Sequence, residues 1–106
     1  MYTRIVSMQL KPNTQREFTQ KFENDIMPTL KKQQGFKDEL LCVVPGASEV
    51  VAISLWDSKE NAETYNRTTY PEVLKTLANL VEPNPKVQTC EVTYSTFHKI
   101  TARVAA

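Results

Sequence analysis

The hydrophobic period of this chain switches between two and about 3.6 residues in the order β-α-β-β-α-β, and few folds accommodate that order. Residues 2–10, YTRIVSMQL, alternate as a strand. Arg4, Val6, Met8 and Leu10 fall on one face, and Thr3, Ile5, Ser7 and Gln9 on the other. After KPNTQ, Thr14 and Glu17 have the three-residue spacing of a capping box, which predicts a helix start. Phe18, Phe22, Ile26 and Leu30 then build one apolar stripe at i+4 spacing. Pro28 interrupts it, because it cannot donate to the carbonyl of Asn24, and an interior proline costs about 3 kcal/mol. The stripe continues through Leu30, so the pattern predicts one bent helix, ended by Gly35.

FKDELLCVV reads as a second strand, PGAS as a turn, and EVVAISLW as a third strand in an antiparallel hairpin with the second. Asp57 or Ser58 caps a second helix, which breaks near NRTTY. Pro71 suits the first position of the next segment, where Val73, Leu74, Leu77 and Leu80 or Val81 form an apolar face. EPNP stops that segment, and KVQTCEVTYSTFH is the last strand, with Cys90, Val92, Tyr94, Thr96 and His98 on one face. Two right-handed split βαβ units give an α+β, ferredoxin-like sandwich: one domain over residues 1–106, with a four-stranded antiparallel sheet in the order 4-1-3-2. Both helices then share one sheet face. The uncovered face is expected to carry Ile5, Trp56 and Phe97 among small polar residues, and a symmetric homodimer through the open faces is the economical way to cover it.

The composition narrows the chemistry. Thirteen basic and twelve acidic residues leave a net charge of +1, so no basic field is available for nucleic-acid backbone binding. Strands one and three also lack the Lys/Arg-Gly-aromatic signature of RNA-recognition domains. No apolar run approaches the ~20 residues of a membrane span, and MYTRIVSMQL lacks the apolar core of a signal peptide, so a cytoplasmic location is expected. The only glycines are Gly35 and Gly46, which cannot build a phosphate or dinucleotide loop. One histidine and two distant cysteines, Cys42 and Cys90, supply neither a clustered zinc site nor an iron–sulfur ligand set, and reduced, half-buried strand thiols are expected. Cys90 and His98 lie eight residues apart on one predicted strand, about 26 Å and far beyond hydrogen-bond reach.

Several short stretches resemble the antibiotic-biosynthesis-monooxygenase-like domains of the dimeric α+β barrel superfamily. They are the strand ending in KPN, the helix with Phe18, Phe22 and a late Pro28, QGF before the second strand, and SLWDSKENAETY after the third. The resemblance covers residues 2–100 and implies the fold and a homodimer. It also implies one of several activities: oxidation of aromatic polyketides without a cofactor, haem degradation, or a role not yet assigned. The haem-degrading members use an asparagine on strand one, a tryptophan on helix two and a ligating histidine beyond it. The matching positions here are Val6, Tyr65 and about Lys75, so this chain departs from that branch at each. Trp56 matches the tryptophan that ends strand three in many members whatever their chemistry.

The quinone-forming branch asks less of the protein, since the substrate supplies the electrons. No metal or flavin is then expected, and the partner is a small apolar or aromatic ligand. His98 is a candidate proton acceptor, because histidine titrates near neutrality, or else a residue near the end of a strand. Tyr65 and Tyr70 could orient a phenolic ligand or pack on the sheet, and Arg67 could hold an oxyanion or be a solvated helix-end charge. Arg4 is the one charge on an apolar strand face; it lines a cavity or pairs with Glu23 or Asp25. Val6, Asn66 and Tyr94 complete the candidate ligand contacts. Two readings stand: a cofactor-independent monooxygenase or oxidase, and a non-catalytic dimeric ligand-binding or accessory module. An isomerase or lyase on the same barrel would need only one acid–base residue.

Overall fold

Alternation along two central strands decides which side of the sheet the helices cover. The computed structural model describes residues 1–98 and residue 100; the remaining residues of the expected 1–106 domain lie outside the described set. Strands β1 (Tyr2–Gln9), β2 (Phe36–Val43), β3 (Glu49–Trp56) and β4 (Lys86–Glu91) form one sheet in the order β2-β3-β1-β4, antiparallel throughout. This is the expected 4-1-3-2 order read from the other edge. Helices α1 (Gln15–Lys21) and α2 (Met27–Lys31) follow β1, and α3 (Lys59–Thr68) and α4 (Tyr70–Leu77) follow β3. Val6, Met8, Val50, Ala52 and Trp56 bury against Phe18, Phe22, Ile26, Leu30, Ala62, Val73 and Leu77 from the helices. No helix among the described residues is long and apolar enough to cross a membrane.

Four expectations change. The first is the start of α1: the Thr14 side chain caps nothing in that helix, and its hydroxyl donates to the carbonyls of Lys11 and Leu80. Thr14 thus ties the β1–α1 corner to the end of the last helical segment. The second is the bend at Pro28. A π-helical turn over Phe22–Ile26 sits just upstream, so the missing proline N–H falls where the ladder is already rearranged. The helix stays continuous while Phe22, Ile26 and Leu30 all reach the core.

The third concerns β4, which stops at Glu91 instead of running to His98. Glu91 pairs with Tyr2, and the Val92 N–H donates to the carbonyl of Met1; these are the last rungs of the β1–β4 ladder. Phe97 is therefore not a sheet residue; it lies on the segment beyond the strand and is 79% exposed.

Trp56 also moves. It lies on the helix-covered face, fully buried, and not on the open face. Cross-strand partners share a face, and Trp56 pairs with Tyr2, two residues from the Arg4–Ser54 pair, while Ile5 pairs with Ile53 on the other side. The indole packs edge-on to Phe36 and tilted against Tyr65, and its N–H donates to Ser54 Oγ at 2.9 Å.

Ser58 caps α3, with the Asn61 N–H donating to Ser58 Oγ. The helix ends at Thr68 and α4 begins at Tyr70 with Pro71 in its first turn. Gly35 has φ +83°, and a side chain there would collide with Asp57 and Asn61 at the α3 entrance. This glycine lets the chain entering β2 pass the start of α3.

Candidate functional site

A polar row crosses the helix-covered face of the sheet. Register places Glu39 (β2), Ser54 (β3), Arg4 (β1) and Thr89 (β4) side by side. The neighbouring row is Leu41, Ala52, Val6 and Val87, wholly apolar. A charged row inside such a face costs desolvation unless its groups find partners.

Arg4 is 3% exposed. One guanidinium nitrogen donates to Asn66 Oδ1 at 2.8 Å, and the group lies over the rings of Tyr70 and Tyr65, 4.4 and 5.1 Å from their centroids. These contacts replace the expected pairing with Glu23 or Asp25; Asp25 pairs with Lys21 on the helix surface. Stacked and hydrogen-bonded, the guanidinium is held flat, and each desolvated ring contact contributes about 1–2 kcal/mol. Burial lowers the Arg4 pKa, against the raising influence of Tyr65, Tyr70 and Glu39, and a guanidinium still stays charged.

Next to Arg4 a narrow slot runs between the sheet and the helices. Phe22, Ile26, Leu30, Val73 and Leu77 wall it on the helix side; Val6, Met8 and Ala52 form its floor. Its polar members are Arg4, Glu39, Ser54, Tyr65 and Tyr70. Glu39, Tyr70 and Leu74 are only half-buried, so the slot reaches the surface between β2 and α4. Its volume is about 30 Å³, room for one or two waters and not for an aromatic ring.

Two oxygens at the slot, Glu39 Oε1 and the Tyr70 hydroxyl, are buried without a hydrogen-bond partner among the described residues. Burial raises the Glu39 pKa to about 8, opposed by the positive charge of Arg4. Burial likewise pushes both tyrosine hydroxyls upward against Arg4, so they remain neutral donors at physiological pH. The slot thus combines a fixed cation, two neutral hydroxyl donors and one carboxyl that titrates near neutrality.

The structure brings together Arg4, Val6, Tyr65 and Tyr70 of the residues expected from sequence, with Asn66 joined through its bond to Arg4. Arg67 is exposed on α3 and lines no part of the slot. Tyr94 and His98 are also elsewhere. Tyr94 is 80% exposed and lies with Ser95, Thr96 and Phe97 beside Thr3 and Leu55, on the open side of the sheet. His98 Nε2 meets Asp38 Oδ2, whose strand neighbour Glu39 points to the slot, so Asp38 points away from it.

Sequence reasoning missed Glu39 and Ser54. The signal existed in the hairpin: once Val43 is set opposite Val50, Glu39 falls opposite Ser54 and on the face of Arg4. Among the described residues no group of three His, Cys, Asp or Glu side chains could hold a metal ion.

Comparison with known proteins gives one family model, antibiotic biosynthesis monooxygenase, matching residues 1–83. No curated protein matches the chain. Among solved structures, the fold is similar to a candidate antibiotic biosynthesis monooxygenase from Nitrosomonas europaea, with TM-score 0.73, 16% identity, and 89% of this chain and 100% of that one covered. It is also similar to a monooxygenase from the gene ActVA-Orf6 of Streptomyces coelicolor, solved with the ligand nanaomycin D, with TM-score 0.74, 15% identity and 89% and 88% covered. A third is a MhuD variant with two manganese protoporphyrin IX bound per active site, at TM-score 0.70, 14% identity and 90% and 97% covered. At these identities the likeness is one of fold.

Proposed function

Because the chain belongs to the antibiotic biosynthesis monooxygenase family, we propose that it oxidises a small phenolic or polyketide-like aromatic with dioxygen, the electrons coming from the ligand. The observation that carries this reading is Arg4: a buried, flat-held cation beside two neutral tyrosine hydroxyls at the polar end of an apolar slot. Such a site stabilises a phenolate or enolate, the electron-rich form that reacts with oxygen. In the balanced reaction, a ring CH₂ and O₂ give a ring carbonyl and water; the carbon loses four electrons and dioxygen gains them. The protein's share is to bind the ring, favour its anion and keep water out. Nanaomycin D in the Streptomyces coelicolor relative supports small-molecule binding on this fold.

The haem-degrading alternative has little support from the residues. The only histidine, His98, lies across the sheet from the slot, and the position of about Lys75 on α4 is an exposed lysine. A homodimer through the open sheet face is part of the proposal: Ile5, Leu40, Val51, Ile53 and Leu55 share that face, and Leu40 is 52% exposed.

The slot's 30 Å³ favours a second reading, a non-catalytic module whose ligand site is closed or vestigial. A ring enters only if Tyr70 and Leu74 turn outward from the mouth. Oxygen-electrode assays with hydroxyanthracene-type and other polyphenols separate the two. We expect ligand-dependent oxygen uptake that Arg4→Met abolishes. Absence of uptake with every polyphenol would leave the module reading in its place.

A further inference from the structure

Four ionisable groups line the slot: Arg4 from β1, Glu39 from β2, Tyr65 from α3 and Tyr70 from α4. A ligand hydroxyl that becomes an anion beside Arg4 must give its proton to one of the slot's groups or to solvent. Arg4 has no acceptor lone pair. Tyr65 and Tyr70 are neutral hydroxyls, and Ser54 Oγ already accepts the Trp56 indole N–H. Among the described residues of the slot, Glu39 presents a carboxyl oxygen without a hydrogen-bond partner, on the same face and in the same sheet row as Arg4.

We propose that Glu39 is the general base of this site, taking the proton of a phenolic hydroxyl bound in the slot while Arg4 receives the resulting oxyanion. The inference rests on the slot being the ligand site, as proposed above. In the step, the ligand O–H bond breaks and its electron pair stays on the ligand oxygen. A new O–H bond forms on Glu39, and no oxidant or reductant is consumed. Above about pH 8, where Glu39 is mainly ionised, the net charge of the site is unchanged: a carboxylate beside Arg4 is replaced by a phenolate beside Arg4. The exchange therefore avoids leaving a buried cation without a counter-charge, which is the costly alternative. The same half-buried position at the mouth lets Glu39 return its proton to solvent after each turnover. Glu39 would touch the ligand, so its role is catalytic rather than positioning.

The test needs no turnover. The probe is 2-naphthol, whose anion absorbs and fluoresces apart from the neutral form and whose pKa is of the phenol class, about 10. At about pH 8.5 the free probe is mainly neutral while Glu39 is mainly ionised. Binding to the wild-type chain is expected to produce the naphtholate signal with no proton released to an indicator dye. Glu39→Gln, which keeps the shape and loses the proton acceptor, is expected to cut the bound anion fraction by about 10-fold or to release one proton per anion formed. Equal signals and equal proton counts in the two proteins overturn the role of Glu39 and leave the slot reading standing. Binding to neither protein overturns both.

A purely structural Glu39 would not move the proton count. Should Glu39→Gln not fold, the wild-type chain still decides. At about pH 8.5 its bound naphtholate is expected to form with less than one proton released to the dye per anion, the remainder being held on Glu39. One proton released per anion formed overturns the proposal.

Discussion

The two faces of the sheet use similar strands for opposite ends. The covered face carries the polar row Glu39–Ser54–Arg4–Thr89 between apolar side chains of the central strands, and the helices close over Arg4 with two tyrosines and an asparagine. The open face carries Ile5, Leu40, Val51, Ile53 and Leu55 with no helix above them and no charged group among those five. One charged row is thus buried under the helices, while the open face mixes those apolar side chains with Asp38 and Lys86, and the Tyr94–Phe97 segment lies beside its Thr3 and Leu55. Under the function and the homodimer proposed above, chemistry and assembly would sit on opposite faces of one sheet.

The largest expected effect lies on the covered face. Trp56→Ala removes a fully buried indole and the donor to Ser54, and should lower unfolding free energy in urea by about 3–5 kcal/mol. A loss near zero would place the indole on the open face after all and break the comparison. Next is Arg4→Met, expected to weaken binding of an anionic aromatic by about 100-fold while leaving stability unchanged or higher by about 1 kcal/mol, since it removes a buried charge. Titration calorimetry and urea melts together decide it. A large loss of stability with unchanged binding would make Arg4 structural.

Glu39 makes stability depend on pH in a stated direction. Its folded pKa of about 8 exceeds the ordinary 4.5, so between those values the folded chain binds a proton that the unfolded chain does not. Stability should therefore be greatest below pH 4.5 for this group, fall by at most about 1.4 kcal/mol per pH unit, and level off above pH 8. Glu39→Gln should flatten that slope in urea melts recorded across the window. An identical slope in the variant would assign the effect to other groups.

The smallest effect on the fold is expected from the open face. Ile53→Lys should change monomer stability by less than about 1 kcal/mol and convert a wild-type dimer into a 12.1 kDa monomer by sedimentation. A wild-type chain that already sediments as a monomer would show that the open face needs no partner, and the division between the faces would lose half its meaning.

Much of this was legible in the residues. The alternation of Arg4, Val6 and Met8 placed the guanidinium on the buried face, and the hairpin and the break before Pro71 came out at nearly the observed positions. The site was legible in part. Arg4, Val6, Tyr65, Asn66 and Tyr70 gather, because helix spacing and strand parity are local properties. His98 and Tyr94 do not, because their place depended on how long β4 pairs, and its ladder with β1 closes at Glu91 and Val92.

What the sequence determined by itself is periodicity: the order of elements, the buried parity of β1, the cap at Ser58 and the glycine before β2. These follow from side-chain spacing and backbone conformation within a few residues. Tertiary structure alone decided that Trp56 turns inward, that Tyr65 and Tyr70 close over Arg4 and Glu39, and that the slot is narrow. Those are consequences of register between strands and of how closely α4 seats against them. A one-residue slip of β2 would have moved Glu39 to the other face, and one of β3 would have moved Trp56.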